Sequence, residues 1–315
     1  MENILKPLPI SLQSGILTEN VLHTQETVTT GESGASVFRF TLETGESCYL
    51  KYIAPLEDEL NLYHICDENL VLSTLRPELG TKLGAGRISL DERTSLWKQL
   101  LRAELKTEVE ILHWLTDRLL VPKVLDFYDG PEGTYLLLAA IEGKNAADLA
   151  NDQENIPILI PLLAQGLLQL HSIPIGACPF DETTTHKLNK AKQHVEYDMV
   201  TPDDFDAERI GRTVNDLFDE LLSTVPKQDE LVFTHGDYCL PNIMLDFTSS
   251  PKKVTGFIDL GRAGVADRYF DLALARRSII RNCGSEWVQP FFDAYGLPTP
   301  DESKLHFFQL LDEFF

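Results

Sequence analysis

The segment His235-Gly-Asp237-Tyr-Cys-Leu-Pro-Asn242, followed by the apolar run Val254-Thr-Gly-Phe-Ile258 and then Asp259-Leu-Gly261, constrains this chain more than any other. An Asp and an Asn five residues apart on a loop, with a second Asp at the end of a strand 17 residues later, is what a Mg²⁺-dependent phosphoryl-transfer site needs. Hard oxygen ligands converge on the metal while a separate carboxylate faces an acceptor hydroxyl. Each of these residues alone is an ordinary turn former. Their order, with a strand between the two halves, points instead to phosphate chemistry.

Such a site also calls for a fixed cation. Lys51 stands near the end of the apolar run Cys48-Tyr-Leu-Lys51-Tyr, where a lysine is either an edge residue that blocks unwanted pairing or the contact to the α- and β-phosphates. A phosphate-binding lysine takes a glutamate partner from the following helix, and Glu104, Glu108 and Glu110 are the candidates; spacing does not choose among them. Gly31-Glu-Ser33-Gly34-Ala-Ser36, about 17 residues before Lys51, is small enough for backbone N–H groups to approach phosphates.

The charge of the chain narrows the partners. With 27 Lys+Arg against 49 Asp+Glu the net charge is −22, which repels nucleic acid and anionic membranes and suits a cationic ligand. Cys48, Cys66, Cys178, Cys239 and Cys283 are odd in number and scattered, which argues against a disulfide framework and for a reducing compartment. No secretory leader is visible, and the longest apolar run, residues 156–164, is interrupted by Pro161 and too short for a membrane span. The expectation is a cytoplasmic protein with no nucleic-acid or membrane partner.

At about 150 residues per domain, 315 residues suggest two domains. Residues 27–53 alternate as a β-hairpin around Glu43-Thr-Gly45-Glu. Residues 56–72 and 92–119 carry helical spacing, with a Gly/Pro-rich break over 76–88. Strands are expected at 123–128 and 134–140, helices from 143 to 222, short strands at 231–234, 243–247 and 254–258, and helices from 267 onward. This is an α+β chain: a small β-rich N-terminal lobe with one long helix, residues 1–141, and a larger mainly helical lobe, residues 142–315.

Lys51, a helix glutamate, His235-Gly-Asp237-x4-Asn242 and Asp259-x-Gly261 follow the order of the kinase signature, with Gly236 where protein kinases carry Arg. The run Gly256-Phe-Ile-Asp-Leu-Gly-Arg262-Ala-Gly-Val-Ala-Asp267-Arg-Tyr-Phe-Asp271 and the segment Leu310-Leu-Asp-Glu-Phe-Phe315 closely resemble the aminoglycoside 3′-phosphotransferases, or kanamycin kinases. Val121-Pro-Lys-Val-Leu125 adds to the match, which covers most of the chain. The resemblance implies a two-lobed protein-kinase-like fold, Mg²⁺, ATP or GTP as co-substrate, a cationic aminoglycoside as acceptor, and a monomer or weak dimer.

It also implies roles. Asp237 would be the catalytic carboxylate, and Asn242 and Asp259 the magnesium ligands. Glu108 is favoured as the partner of Lys51 by the register of His113-Trp-Leu. Tyr49 would stack on the base, the backbone of Ala139 and Ile141 would read it, and Ser33 falls in the nucleotide loop. On the acceptor side the resemblance implies Arg262, Asp203, Asp206, Asp312, Glu313 and the terminal carboxylate of Phe315. Carboxylates facing amino sugars gain charge-assisted hydrogen bonds. Asp267 and Asp271 are expected to orient backbone and arginines, with Arg268 and Arg276 in helical reach of Asp271.

Two departures stand out. The interval from Lys51 to Glu108 is longer than in the family, so residues 60–101 read as an insertion. Arg281 and Asn282 stand where some members carry acidic residues, which bears on the acceptor spectrum. The alternatives are a kinase of the same fold acting on a macrolide, choline or homoserine, and a binding module without catalysis.

Overall fold

In the computed structural model, which describes residues 24–28, 35–41, 45–55 and 90–315, the alternating runs form a five-stranded antiparallel sheet. Its strands are β1 (Thr24–Val28), β2 (Ser36–Thr41), β3 (Ser47–Ile53), β4 (Val124–Gly130) and β5 (Gly133–Ala139), in the order β1-β2-β3-β5-β4. The period of two along β3 sorts its side chains between two faces. Cys48, Leu50 and Tyr52 pack with Phe40, Tyr135 and Leu137 on one face. Ile53 joins Leu136 and Leu138 in the larger core on the other, the face that Tyr49 and Lys51 share. The expected hairpin is thus part of a larger sheet, extended by β1.

Helix α1 (Leu90–Leu115) packs against that second face. Its stripe Leu101, Leu105, Leu112 and Leu115 follows helical spacing, and Glu108 falls within the stripe at 2% exposure. The first part of α1 takes in residues 90–101, assigned above to the insertion. Residues 60–89, the helix expected at 56–72 and the loop residue Ser33 lie outside the described residues.

The rest of the chain is mainly helical: α2 (Ala146–Ala150), α3 (Ile156–His171), α4 (Thr184–Glu196), α5 (Val214–Ser223), α6 (Arg268–Asn282), α7 (Val288–Tyr295) and α8 (Glu302–Asp312). Asn145 caps α2 by accepting the Asp148 N–H at 2.8 Å. Helix α3 is apolar on most of its circumference and buries Leu159, Ile160, Leu163, Leu167 and Leu170 at the centre of this region. It runs through Pro161 without ending there. No helix among the described residues is long and apolar enough to cross a membrane.

Short strands frame the site. β6 (Lys144–Asn145), β8 (Ile243–Asp246) and β9 (Lys253–Phe257) form one sheet, and β7 (Leu231–Thr234) pairs with β10 (Gly264–Asp267) in another. Strand β10 went unpredicted, because Gly-Val-Ala-Asp carries too little alternation. Its pairing of Thr234 with Gly264 sets the loop after β7 beside Arg262.

Candidate active site

The β3 pleat and α1 bring Lys51 to Glu108. Lys51 Nζ donates to both Glu108 oxygens at 2.8 Å and to Asp259 Oδ1 at 2.8 Å. Burial disfavours the ammonium, but the Asp259 and Glu108 carboxylates outweigh it and hold Lys51 above its ordinary value. Burial pushes Glu108 up, against the pull of Lys51. Asp259 is held low, chiefly by Lys51, and its side chain remains 40% exposed. Glu110 is exposed and plays no part in this cluster. Glu104 lies over Gly261, where a Cβ would meet its Cγ at 3.0 Å.

The His-Gly-Asp loop is held from below by Asp271 in α6. Its carboxylate accepts the N–H groups of His235 at 2.7 Å and Gly236 at 3.0 Å. It also meets His171 Nε2 at 3.1 Å, and His171 Nδ1 lies 2.7 Å from the Tyr295 hydroxyl. Asp271 therefore orients backbone as expected, but its partners are histidine and amides rather than Arg268 or Arg276; those arginines pair with Glu230 and Glu302. Asp267 caps α6 by accepting the Tyr269 N–H at 2.9 Å.

At the turn of this loop Asp237 accepts Asn242 Nδ2 at 2.8 Å on Oδ2 and at 3.1 Å on its carbonyl. The Asp237 N–H donates to His235 Nδ1 at 3.2 Å, so the proton of that ring sits on Nε2. Burial keeps His235 neutral by lowering its basicity. Burial also raises Asp237 above the ordinary carboxylate value, while Arg262 opposes the rise. The result is a carboxylate fixed in direction and more basic than one in water, which suits contact with a hydroxyl proton.

Asn242 and Asp259 supply a donor set that fits Mg²⁺. The Asn242 amide spends its Nδ2 on Asp237, which leaves Oδ1 to accept, and Asp259 has a second carboxylate oxygen besides the one on Lys51. One carboxylate and one amide oxygen are hard ligands of the kind that Mg²⁺ takes together with phosphate oxygens and water.

On the other side of Asp237, Arg262 donates to Asp312 Oδ1 at 2.7 Å and Arg277 donates to Asp312 Oδ2 at 2.6 Å. Arg277 also reaches Asp206 at 3.4 Å, and Arg209 holds Glu313 at 3.0 Å. Glu313 accepts the Asp206 N–H at 3.1 Å; its carboxyl is pushed up to about 7, first by burial and then by the Asp206 charge. Four of the expected acceptor-side residues, Arg262, Asp206, Asp312 and Glu313, thus meet in one ionic network with Arg277 and Arg209. Phe315 joins through its ring, 5.3 Å from the Arg262 guanidinium. Asp203 does not join; it is exposed on a 3-10 turn. Arg281 is exposed at the end of α6, and Asn282 turns back to the Ser278 carbonyl at 2.7 Å.

Residues 96–308 match the family model described as phosphotransferase enzyme family (APH). The chain belongs to this family. An aminoglycoside 3′-phosphotransferase of Niallia circulans is 39% identical to this phosphotransferase over 222 residues, covering 70% of this chain and 81% of that one. A crystal structure of an aminoglycoside-3′-phosphotransferase of type VIII superposes with a TM-score of 0.70 at 28% identity, covering 92% of this chain and 94% of that one. An aminoglycoside phosphotransferase of Streptomyces rimosus, solved with ADP and streptomycin, shares the fold at TM-score 0.68 and 24% identity, covering 97% and 96%.

The phosphotransferase site also holds residues that sequence spacing missed. Arg277, Arg209 and His171 reach it through helices and loops far along the chain, and no local pattern marks them. Tyr49 lies on the Lys51 face of β3, opposite Leu138. The Ala139 N–H is taken by the Lys123 carbonyl at 2.9 Å, and Ile141 packs on Gly256 of β9.

Proposed function

We propose that this chain transfers the γ-phosphoryl group of ATP or GTP to the 3′-hydroxyl of kanamycin- and neomycin-type aminoglycosides, and so confers resistance to them. The observation that carries the transfer chemistry is the convergence of Lys51, Glu108 and Asp259 at 2.8 Å beside an Asp237 that Asn242 holds in place. The acceptor rests on the relatives, those of Niallia circulans, Escherichia coli and Salmonella typhimurium being named aminoglycoside 3′-phosphotransferases.

In this reading the nucleotide sits between β3 and the Asp-Leu-Gly turn, in a site shared by residues 1–141 and 142–315. Tyr49 stacks on the base, the backbone of Ala139 and Ile141 reads its edge, and Ser33 belongs to the loop over the phosphates. Lys51 binds the α- and β-phosphates and Glu108 keeps its ammonium aimed. Asn242 and Asp259 hold Mg²⁺, which when bound neutralises charge on the β- and γ-phosphates. Asp237 aligns the acceptor hydroxyl for in-line attack and takes its proton as the new O–P bond forms and the nucleoside diphosphate leaves. The acceptor's ammonium groups lie toward Asp203, Asp206, Asp312 and Glu313, with Arg262 and Phe315 completing the surface.

The test is coupled release of nucleoside diphosphate with Mg²⁺ over a panel of aminoglycosides. Turnover only of acceptors with a free 3′-hydroxyl is the expected result. Release with choline, homoserine or a macrolide, and none with aminoglycosides, would move the acceptor assignment to another small molecule.

A further inference from the structure

Helix α4 presents Lys187, Ala191 and His194 on one face, since they recur at helical spacing. Lys187 and Ala191 are buried, at 1% and 0% exposure. That face lies against Phe314 and Phe315. His194 Nδ1 is 2.5 Å from the Phe314 carbonyl oxygen, and because a carbonyl only accepts, Nδ1 carries the proton. The same imidazole meets the Phe315 ring edge-on, with centroids 5.4 Å apart.

Lys187 needs an explanation of its own. Its ammonium donates to Glu182 Oε2 at 2.9 Å, while Lys190 donates to Glu182 Oε1 at 2.8 Å. A buried ammonium is costly to place, and removing it alone would leave Glu182 Oε2 without this partner. Beyond that ion pair the charge also faces two aromatic rings: Nζ stands 4.1 Å from the centre of the Phe270 ring and 5.6 Å from that of Phe315. The second cation on Phe315 is Arg262, at 5.3 Å, whose guanidinium holds Asp312 at 2.7 Å. Phe315 is therefore the link from α4 to the Arg262–Asp312 pair beside Asp237.

We propose that Lys187 and His194 are positioning residues that clamp Phe314 and Phe315, so that Arg262 and Asp312 present one fixed surface to the acceptor and set its affinity. The inference rests on the acceptor-side reading given under the proposed function. Neither residue touches the nucleotide side, where Lys51, Glu108 and Asp259 are held by contacts of their own.

The experiment compares wild type with Lys187→Met and His194→Leu, and with the conservative variants Lys187→Arg and His194→Asn, which keep a cation and an N–H donor. Loss of one such contact is expected to raise the acceptor KM about fivefold to tenfold. Nucleotide KM and kcat stay within about twofold, and the conservative variants recover most of the acceptor affinity. A parallel fall of kcat, both KM values and Tm, with no recovery, would assign the two residues a structural role only. Hydrogen exchange of the Phe314 and Phe315 amides gives a readout that needs no acceptor. Faster exchange there in Lys187→Met and His194→Leu, with segment 237–242 unchanged, supports the clamp; unchanged exchange overturns it. Turnover of the aminoglycoside panel by the wild type decides the acceptor reading separately.

Discussion

Gly236 lies directly beneath Arg262: a Cβ at position 236 would stand 2.0 Å from the Arg262 carbonyl oxygen and 2.9 Å from its own Cβ. The backbone of Gly236 is also left-handed, with φ of 82°. Both facts accompany the β7–β10 pairing, which carries the His-Gly-Asp loop and the Asp-Leu-Gly-Arg turn past one another. They explain why this loop reads His-Gly-Asp, where an arginine in the middle place would have no room.

Gly236→Ala should therefore destabilise the protein by about 2 kcal/mol or more, because the contact is with backbone that cannot swing aside. Thermal unfolding of the variant measures this. A Tm equal to that of wild type would show that the two loops can separate freely.

Asp237→Ala should lower kcat by roughly 10² to 10⁴-fold, the usual contribution of a positioned base. Nucleotide binding, which the proposed mechanism assigns to Lys51 and its partners, should survive. Fluorescent-nucleotide titration alongside steady-state turnover separates the two effects; equal loss of both would make the residue structural.

Glu108→Gln leaves the buried Lys51 with one carboxylate fewer, whereas Glu104→Gln and Glu110→Gln do not touch that contact. The nucleotide KM should rise about tenfold or more for the first and little for the others. A larger effect at position 110 would contradict the assignment of the ion pair.

Burial raises Asp237 and Arg262 opposes the rise. In the proposed mechanism Asp237 works ionised, so kcat/KM should fall as pH drops, on a limb lying above the ordinary carboxylate range. Arg262→Gln removes the opposing charge and should move that limb to higher pH. A limb that stays in place would show that Arg262 does not act on Asp237.

Glu313 takes up its proton near pH 7 in the folded protein, against an ordinary value of 4.5. Between those values the folded state binds more protons than the unfolded, so stability should decline as pH rises from 4.5 toward 7. Glu313→Gln should flatten this slope. Denaturant unfolding at several pH values checks it, and an unchanged slope would place the titration elsewhere.

The family and the transfer chemistry were legible in short windows of sequence. The catalytic loop is one stretch from His235 to Asn242, and β3 shows its alternation within seven residues. Such patterns depend on turn geometry and on a period of two, both of which act between near neighbours. Glu108 lay half in reach: Leu101, Leu105, Leu112 and Leu115 mark a stripe in which a glutamate is out of place unless it is paired. Spacing to Lys51 carried no such information, since the intervening segment has no fixed length.

Sequence alone thus determined the two-part α+β organisation, the Asp237, Asn242 and Asp259 constellation, and Lys51 as the cation that meets it. Tertiary structure alone decided the partners. It chose Glu108 among three glutamates, gave Asp271 to the His-Gly-Asp loop and His171 rather than to arginines, and locked Asp206, Asp312 and Glu313 to Arg277, Arg262 and Arg209. The physical reason is that an ion pair forms wherever docked helices and loops set opposite charges within about 4 Å in a partly buried place. Which charges those are depends on how α1 packs on the five-stranded sheet and α8 on α6, a property no window of sequence contains.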